Sequence, residues 1–122
     1  MKCPTCKSKN IKITQTIELP PDGINDEITL QTVECEHCDF YALAVYRESR
    51  RGALDSESWV HEGLRVSEGD FQTIRELIQS CPSPSDKRCQ CESHQVLGHQ
   101  TDYRWDGLDH SGVEIKDMFI LR

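Results

Sequence analysis

Cys3-Pro4-Thr5-Cys6 and Cys35-Glu36-His37-Cys38 are two cysteine pairs of identical spacing, separated by 28 residues in a chain of 122. Two residues between thiolates form a tight turn that aims both sulfurs at one point, about 2.3 Å from a tetrahedral Zn²⁺. Two such turns at the ends of hairpins complete a site of four thiolates. The stretch between them has room for two strands. Residues 10–19 alternate apolar and polar, which predicts a strand with Ile11, Ile13, Ile17 and Leu19 on one face. Pro20-Pro21-Asp22-Gly23 reads as a turn, because proline fixes φ and glycine accepts a positive value. Residues 27–33 form a second strand. Residues 40–46 form a third, apolar on both faces and therefore central in its sheet.

The CPTC and CEHC pairs, each leading into a strand, resemble the zinc-ribbon superfamily over residues 1–47. The resemblance implies a small antiparallel sheet topped by Zn²⁺ on Cys3, Cys6, Cys35 and Cys38. Ribbons usually carry glycine directly after each pair, whereas Lys7 and Asp39 stand here. Membership says little about function, since ribbons serve as nucleic-acid readers, protein docks and inert clips. A rubredoxin-like iron site shares the ligands, but such proteins pack aromatic rings around the metal, and residues 7–34 contain none. A thioredoxin-like pair opens a helix, whereas both pairs here border strands.

Residues 48–122 read as an α+β extension, packed with the ribbon into one unit. Residues 47–58 are polar and contain Gly52, as a linker or long loop would. Residues 59–66 form a short strand. An amphipathic helix over 68–80 follows, capped by Ser67, with Val66 stapling against Phe71. Its stripe is Phe71, Ile74, Leu77, Ile78 and Cys81, and Pro82 and Pro84 end it. The segment 81–99 holds a second constellation. Cys81, Cys89, Cys91 and His94 supply three thiolates and an imidazole, the complement of a closed structural zinc site, with His99 and His61 as alternative ligands. An extended Pro- and Ser-rich segment of low apolar content needs such a clip. Residues 101–121 read as a closing β-hairpin, turned at Asp106-Gly107 and Ser111-Gly112.

Leu, Ile, Val and Phe make up 27 of the 122 residues, just above the roughly 20% at which a charged chain stays disordered. One Zn²⁺, and a second if the later cluster ligates, would supply what so thin a core lacks. Three alanines against 22 Val, Ile and Thr favour strand over helix. No apolar run approaches the roughly 20 residues that span a bilayer, and no leader precedes Cys3, which together suggest a soluble, cytoplasmic protein without membrane contact. The net charge of -7 repels phosphate backbones and anionic lipid.

Basic residues gather only at Lys2, Lys7, Lys9 and Lys12, and at Arg47, Arg50 and Arg51. No glycine-rich phosphate loop, HExxH segment or nucleophile elbow occurs. The expected function is a non-enzymatic, zinc-binding interaction module with a protein partner, for which Tyr103 and Trp105 are candidate anchors. The first alternative is nucleic-acid binding through the basic clusters. A third is a hydrolase with an open second site and Glu92 as base.

Overall fold

A computed structural model of the chain describes residues 2–23, 26–49 and 58–121. Four long strands, β1 (Ile11–Asp22), β2 (Asp26–Cys35), β3 (Tyr41–Ser49) and β4 (Ser58–Arg65), precede helix α1 (Glu68–Ser80). Helix α2 (Glu92–Leu97), strands β5 (Gln100–Thr101) and β6 (Arg104–Trp105), helix α3 (Gly107–His110) and strand β7 (Asp117–Ile120) follow. The main sheet is antiparallel in the order β1-β2-β3-β4-β7, and β5 and β6 pair separately. The architecture is α+β, with the sheet dominant. β3 is central, as its two-sided apolar sequence requires. Most of the linker expected at 47–58, including Arg50 and Arg51, lies outside the described residues.

The reading of β1 as one apolar face is corrected by a bulge. Ile13 pairs with Val33, but the next pair is Gln15 with Thr32, so Thr14 is an extra residue. One inserted residue turns every later side chain to the opposite face. Ile11 therefore joins Val33 and Cys35 on one side, while Ile17 and Leu19 join Leu30 and Ile28 on the other. Ile13 is left exposed. The Thr14 hydroxyl lies 2.8 Å from that of Thr32 and gives the bulge a local hydrogen bond.

The sheet consequently carries two cores. On one face Ile17, Leu19, Ile28, Leu30, Leu43 and Leu64 pack under Phe71, Ile74 and Ile78 of α1. On the other, Ile11, Val33, Ala42 and Ala44 lie among Cys3, Cys35 and Leu121, with no helix above them. Each large side chain fully buried contributes roughly 1.5–3 kcal/mol, so the first face carries most of the apolar stabilisation.

Helix α1 forms where its signals place it. Ser67 Oγ accepts the Asp70 N–H at 3.1 Å, and Glu68 and Asp70 sit in the first turn, where carboxylates meet the positive end of the helix dipole. The chain turns extended at Cys81. The turn expected at residues 20–23 starts later than that, at Gly23. β1 runs through Pro20 and Pro21 to Asp22, and only Gly23 takes a positive φ of 53°. An edge strand tolerates proline because the missing N–H has no ladder partner to lose.

The closing hairpin over 101–121 does not form. Thr101 pairs with Arg104 in a two-residue ribbon, residues 107–110 become α3, and β7 pairs with β4. Asp106-Gly107 opens α3 rather than a hairpin turn, and Gly107 lies against the Leu97 carbonyl and the Trp105 indole, where any Cβ would collide. β7 reaches β4 because Gly63 leaves its Cα bare for the Phe119 ring. The 81–99 segment is likewise not wholly extended, since α2 lies inside it.

Candidate metal centres

The first centre sits at one end of the sheet. Cys3 and Cys6 lie in the loop before β1, Cys35 ends β2, and Cys38 lies in the turn to β3. Backbone hydrogen bonds shape the first turn, from Cys3 N–H to Ser8 O at 2.8 Å and from Lys7 N–H to Cys3 O at 2.9 Å. Lys7 takes a left-handed φ of 65°, so it adopts the conformation usually assigned to glycine after the pair. Asp39 is not among the positive-φ residues. A Glu36 N–H to Asn10 O bond of 3.1 Å joins the two loops.

The four Sγ atoms all lie within 4.8 Å of one another. Cys3 Sγ is 3.6 Å from Cys38 Sγ, and Cys6 Sγ is 3.7 Å from Cys35 Sγ. Four sulfurs about 2.3 Å from a central Zn²⁺ would stand about 3.8 Å apart, so the donor set fits the ion in both chemistry and size. The protein also prepares the ligands for charge. Burial pushes the Cys35 thiol up, but the backbone N–H groups of Cys38 and His37 and the Ser8 hydroxyl outweigh it and bring the group to about 6. Ser8 Oγ is 3.0 Å from Cys6 Sγ and lowers that thiol as well. Cys38 stands at about 12, raised by burial and by the three neighbouring sulfurs despite the Phe40 backbone N–H. A bound dication would favour the thiolate form that metal ligation requires.

The second centre joins three elements: Cys81 at the end of α1, Cys89 in the following loop, and Cys91 with His94 at the start of α2. These four donor atoms also lie within 4.8 Å of one another. Cys81 Sγ is 3.9 Å from Cys89 Sγ and 3.1 Å from His94 Nδ1, and Cys91 Sγ is 3.4 Å from the same nitrogen. Cys91 is the N-cap of α2 and accepts the His94 N–H on its sulfur at 3.3 Å. The backbone and side-chain hydrogen bonds from His94 bring Cys91 to about 6 against its burial, whereas burial first, then Cys91 and Cys89, push Cys81 up to about 11.

His94 is the imidazole brought to this cluster. It is 2% exposed, and its Nε2 donates to Glu18 O at 2.9 Å. That bond places the ring proton on Nε2 and leaves Nδ1 unprotonated, an acceptor facing the thiols and a nitrogen able to ligate a metal. His99 instead lies 2.6 Å through Nδ1 from Asp106 Oδ1 and stacks on His110 at 3.7 Å. His61 lies on the sheet, 2.7 Å from Gln31 Oε1. Glu92 is exposed.

The remaining candidate residues are dispersed. Arg47 bridges the buried carboxylates of Asp22 and Asp26 at 3.1 and 3.2 Å, and Lys12 pairs with Glu36 at 2.9 Å. Trp105 is partly buried and donates its indole N–H to Leu97 O at 2.6 Å, while Tyr103 is 81% exposed. No protein family, curated protein or solved structure matches the chain. Spacing points to the seven cysteines and to His94, with His99 and His61 left as alternatives. It is silent on Ser8 and Glu18, whose roles depend on a hydroxyl and a carbonyl that any strand or turn could offer. No helix among the described residues is long and apolar enough to cross a membrane.

Proposed function

We propose that this chain is a non-enzymatic protein whose fold is held by two structural Zn²⁺ ions, the first in a zinc ribbon, and that it docks onto another protein. The supporting observation is that each cluster brings four soft donors within 4.8 Å of one another. Structural zinc sites are closed by four protein ligands, whereas catalytic sites keep one position for water. Cys3, Cys6, Cys35 and Cys38 would hold the first ion, and Cys81, Cys89, Cys91 and His94 the second. A third role, hydrolysis at the second site, would need one of these four to stand aside. Zinc binding of about 10 to 16 kcal/mol in small sites is ample for a thin core.

The partner is read as protein because the chain carries a net charge of -7 and two residues of its basic clusters are already paired. Arg47 faces Asp22 and Asp26, and Lys12 faces Glu36. Binding to duplex DNA and to single-stranded RNA, followed by fluorescence anisotropy at physiological salt, tests this directly. No association is expected. Micromolar binding that weakens when Arg47, Arg50 and Arg51 become Ala would replace the protein-docking reading with a nucleic-acid one, because phosphate contacts dominate such affinity.

A further inference from the structure

The sulfurs of the two centres differ in exposure and in what donates to them. Cys3, Cys35 and Cys81 are buried, whereas Cys6, Cys38, Cys89 and Cys91 are partly exposed. Hydrogen bonds restrain three of the exposed group. Ser8 Oγ lies 3.0 Å from Cys6 Sγ, the Phe40 backbone N–H reaches Cys38, and the His94 N–H lies 3.3 Å from Cys91 Sγ. Among the described residues no N–H or O–H donates to Cys89 Sγ, whose near neighbour is Cys81 Sγ at 3.9 Å. A hydrogen bond to a thiolate draws on the electron pair that would attack an oxidant, so the sulfur without one is the stronger nucleophile. Cys89 alone is both reachable and unrestrained.

Geometry also selects the thiol that would answer it. Cys81 and Cys89 bracket a loop whose residues 85–88 are exposed, and Cys89 is held there by its own N–H to Asp86 O at 3.0 Å. To bond, the two sulfurs must close from 3.9 Å to about 2.0 Å, a movement that an exposed loop can absorb. Joining Cys89 to Cys91 would instead close a ring across the single residue Gln90, too short for a relaxed disulfide dihedral. Cys91 is also committed as the N-cap of α2.

We infer that the second centre is a redox switch in which hydrogen peroxide oxidises Cys89 and Cys81 closes a disulfide onto it, while the first centre is spared. The Cys89 thiolate attacks one peroxide oxygen, the O–O bond breaks and hydroxide leaves, giving a sulfenic acid. The Cys81 thiolate then attacks the Cys89 sulfur, the S–O bond breaks and a second hydroxide leaves. Two thiolates become one disulfide, and one peroxide is reduced to two hydroxides. Only Cys91 and His94 remain as donors, too few for a closed site of four. The bond of His94 to Glu18 O involves neither oxidised sulfur, and the disulfide still ties the end of α1 to residue 89. The segment therefore stays fastened while the site opens.

This inference rests on the reading of two structural zinc ions and adds a regulation to one of them. The test treats the full, zinc-loaded chain with one equivalent of hydrogen peroxide, then measures released zinc, native mass and the position of any disulfide by peptide mapping. The expected result is loss of one ion per chain and a Cys81–Cys89 disulfide, both reversed by dithiothreitol and added zinc. Cys89→His keeps four donors without the reactive sulfur, and it should hold both ions under the same treatment. A disulfide mapped to Cys3–Cys38 or Cys6–Cys35, release of both ions together, or no release overturns the switch and leaves the two-zinc reading standing. Peroxide release from Cys89→His as fast as from the native chain overturns it too. If Cys89→His takes up a single ion, the mapping on the native chain decides alone. If the native chain holds fewer than two ions before peroxide is added, the two-zinc reading fails and the switch with it.

Discussion

His94 Nε2 lies 2.9 Å from the backbone oxygen of Glu18, and the Glu18 N–H donates to Pro84 O at 2.7 Å. A single residue of edge strand β1 thus holds both the second Cys/His cluster and the loop that spans it. The cluster is fastened to the sheet through main-chain groups, and the edge that β1 would otherwise expose is covered at that point.

His94 therefore has two separable roles. His94→Ala should cut the zinc content from two ions per chain to one and lower the melting temperature. His94→Cys restores a fourth ligand but not the bond to Glu18. It should keep two ions and cost about 1 kcal/mol, the net value of one hydrogen bond. Metal analysis and chemical denaturation of the two variants distinguish ligation from tethering.

Lys7 holds φ at 65°, where an L-residue costs about 1–2 kcal/mol. Lys7→Gly should stabilise the zinc-loaded protein by up to about 1 kcal/mol, the remainder being offset by the freer unfolded chain. Unfolding by guanidinium at constant free zinc measures it.

Two glycines should respond with opposite sign. Any Cβ on Gly107 would run into the Leu97 carbonyl, a backbone atom that cannot swing away. Gly107→Ala should cost about 3 kcal/mol as an overpacked site. Gly69 has nothing within 4 Å of an added Cβ and lies in α1. Gly69→Ala should gain about 0.5–1 kcal/mol through helix propensity.

These positions also mark how much of the molecule a sequence can disclose. The donors of both clusters, α1 and the central place of β3 are carried by local spacing, which survives without knowledge of partners. The bulge at Thr14 is not, because inserting one residue leaves the apolar alternation of 11–19 intact on paper while reversing its faces. Gly107 resembles a turn residue until Leu97 is known to lie against it. The pairing of β7 with β4 is not legible either, because the contact that selects β4, Phe119 on Gly63, joins residues far apart in the chain.

Burial lowers the pKa of His61 below its usual 6.5. The folded state then resists protonation more than the unfolded chain does. The contribution is fully present above about pH 6.5 and is lost as the pH falls from there through the folded value. Asp106 acts further down: hydrogen bonds from His99 and Thr101 depress its carboxyl below 3.8, so its contribution holds above that pH and disappears below it. NMR titration should give a His61 midpoint under 6.5, and His61→Gln should flatten the stability profile between pH 6.5 and that midpoint.

The central claim, that two closed zinc sites hold this fold, is tested most directly by native mass spectrometry of the full chain purified without added metal. The account predicts a mass corresponding to two Zn²⁺ per chain, a colourless protein, and loss of one ion together with native circular dichroism in Cys35→Ser, since the first site contributes folding energy outright. One ion or none per chain, iron in place of zinc, or a Cys35→Ser variant that keeps the native spectrum and melting temperature would contradict it.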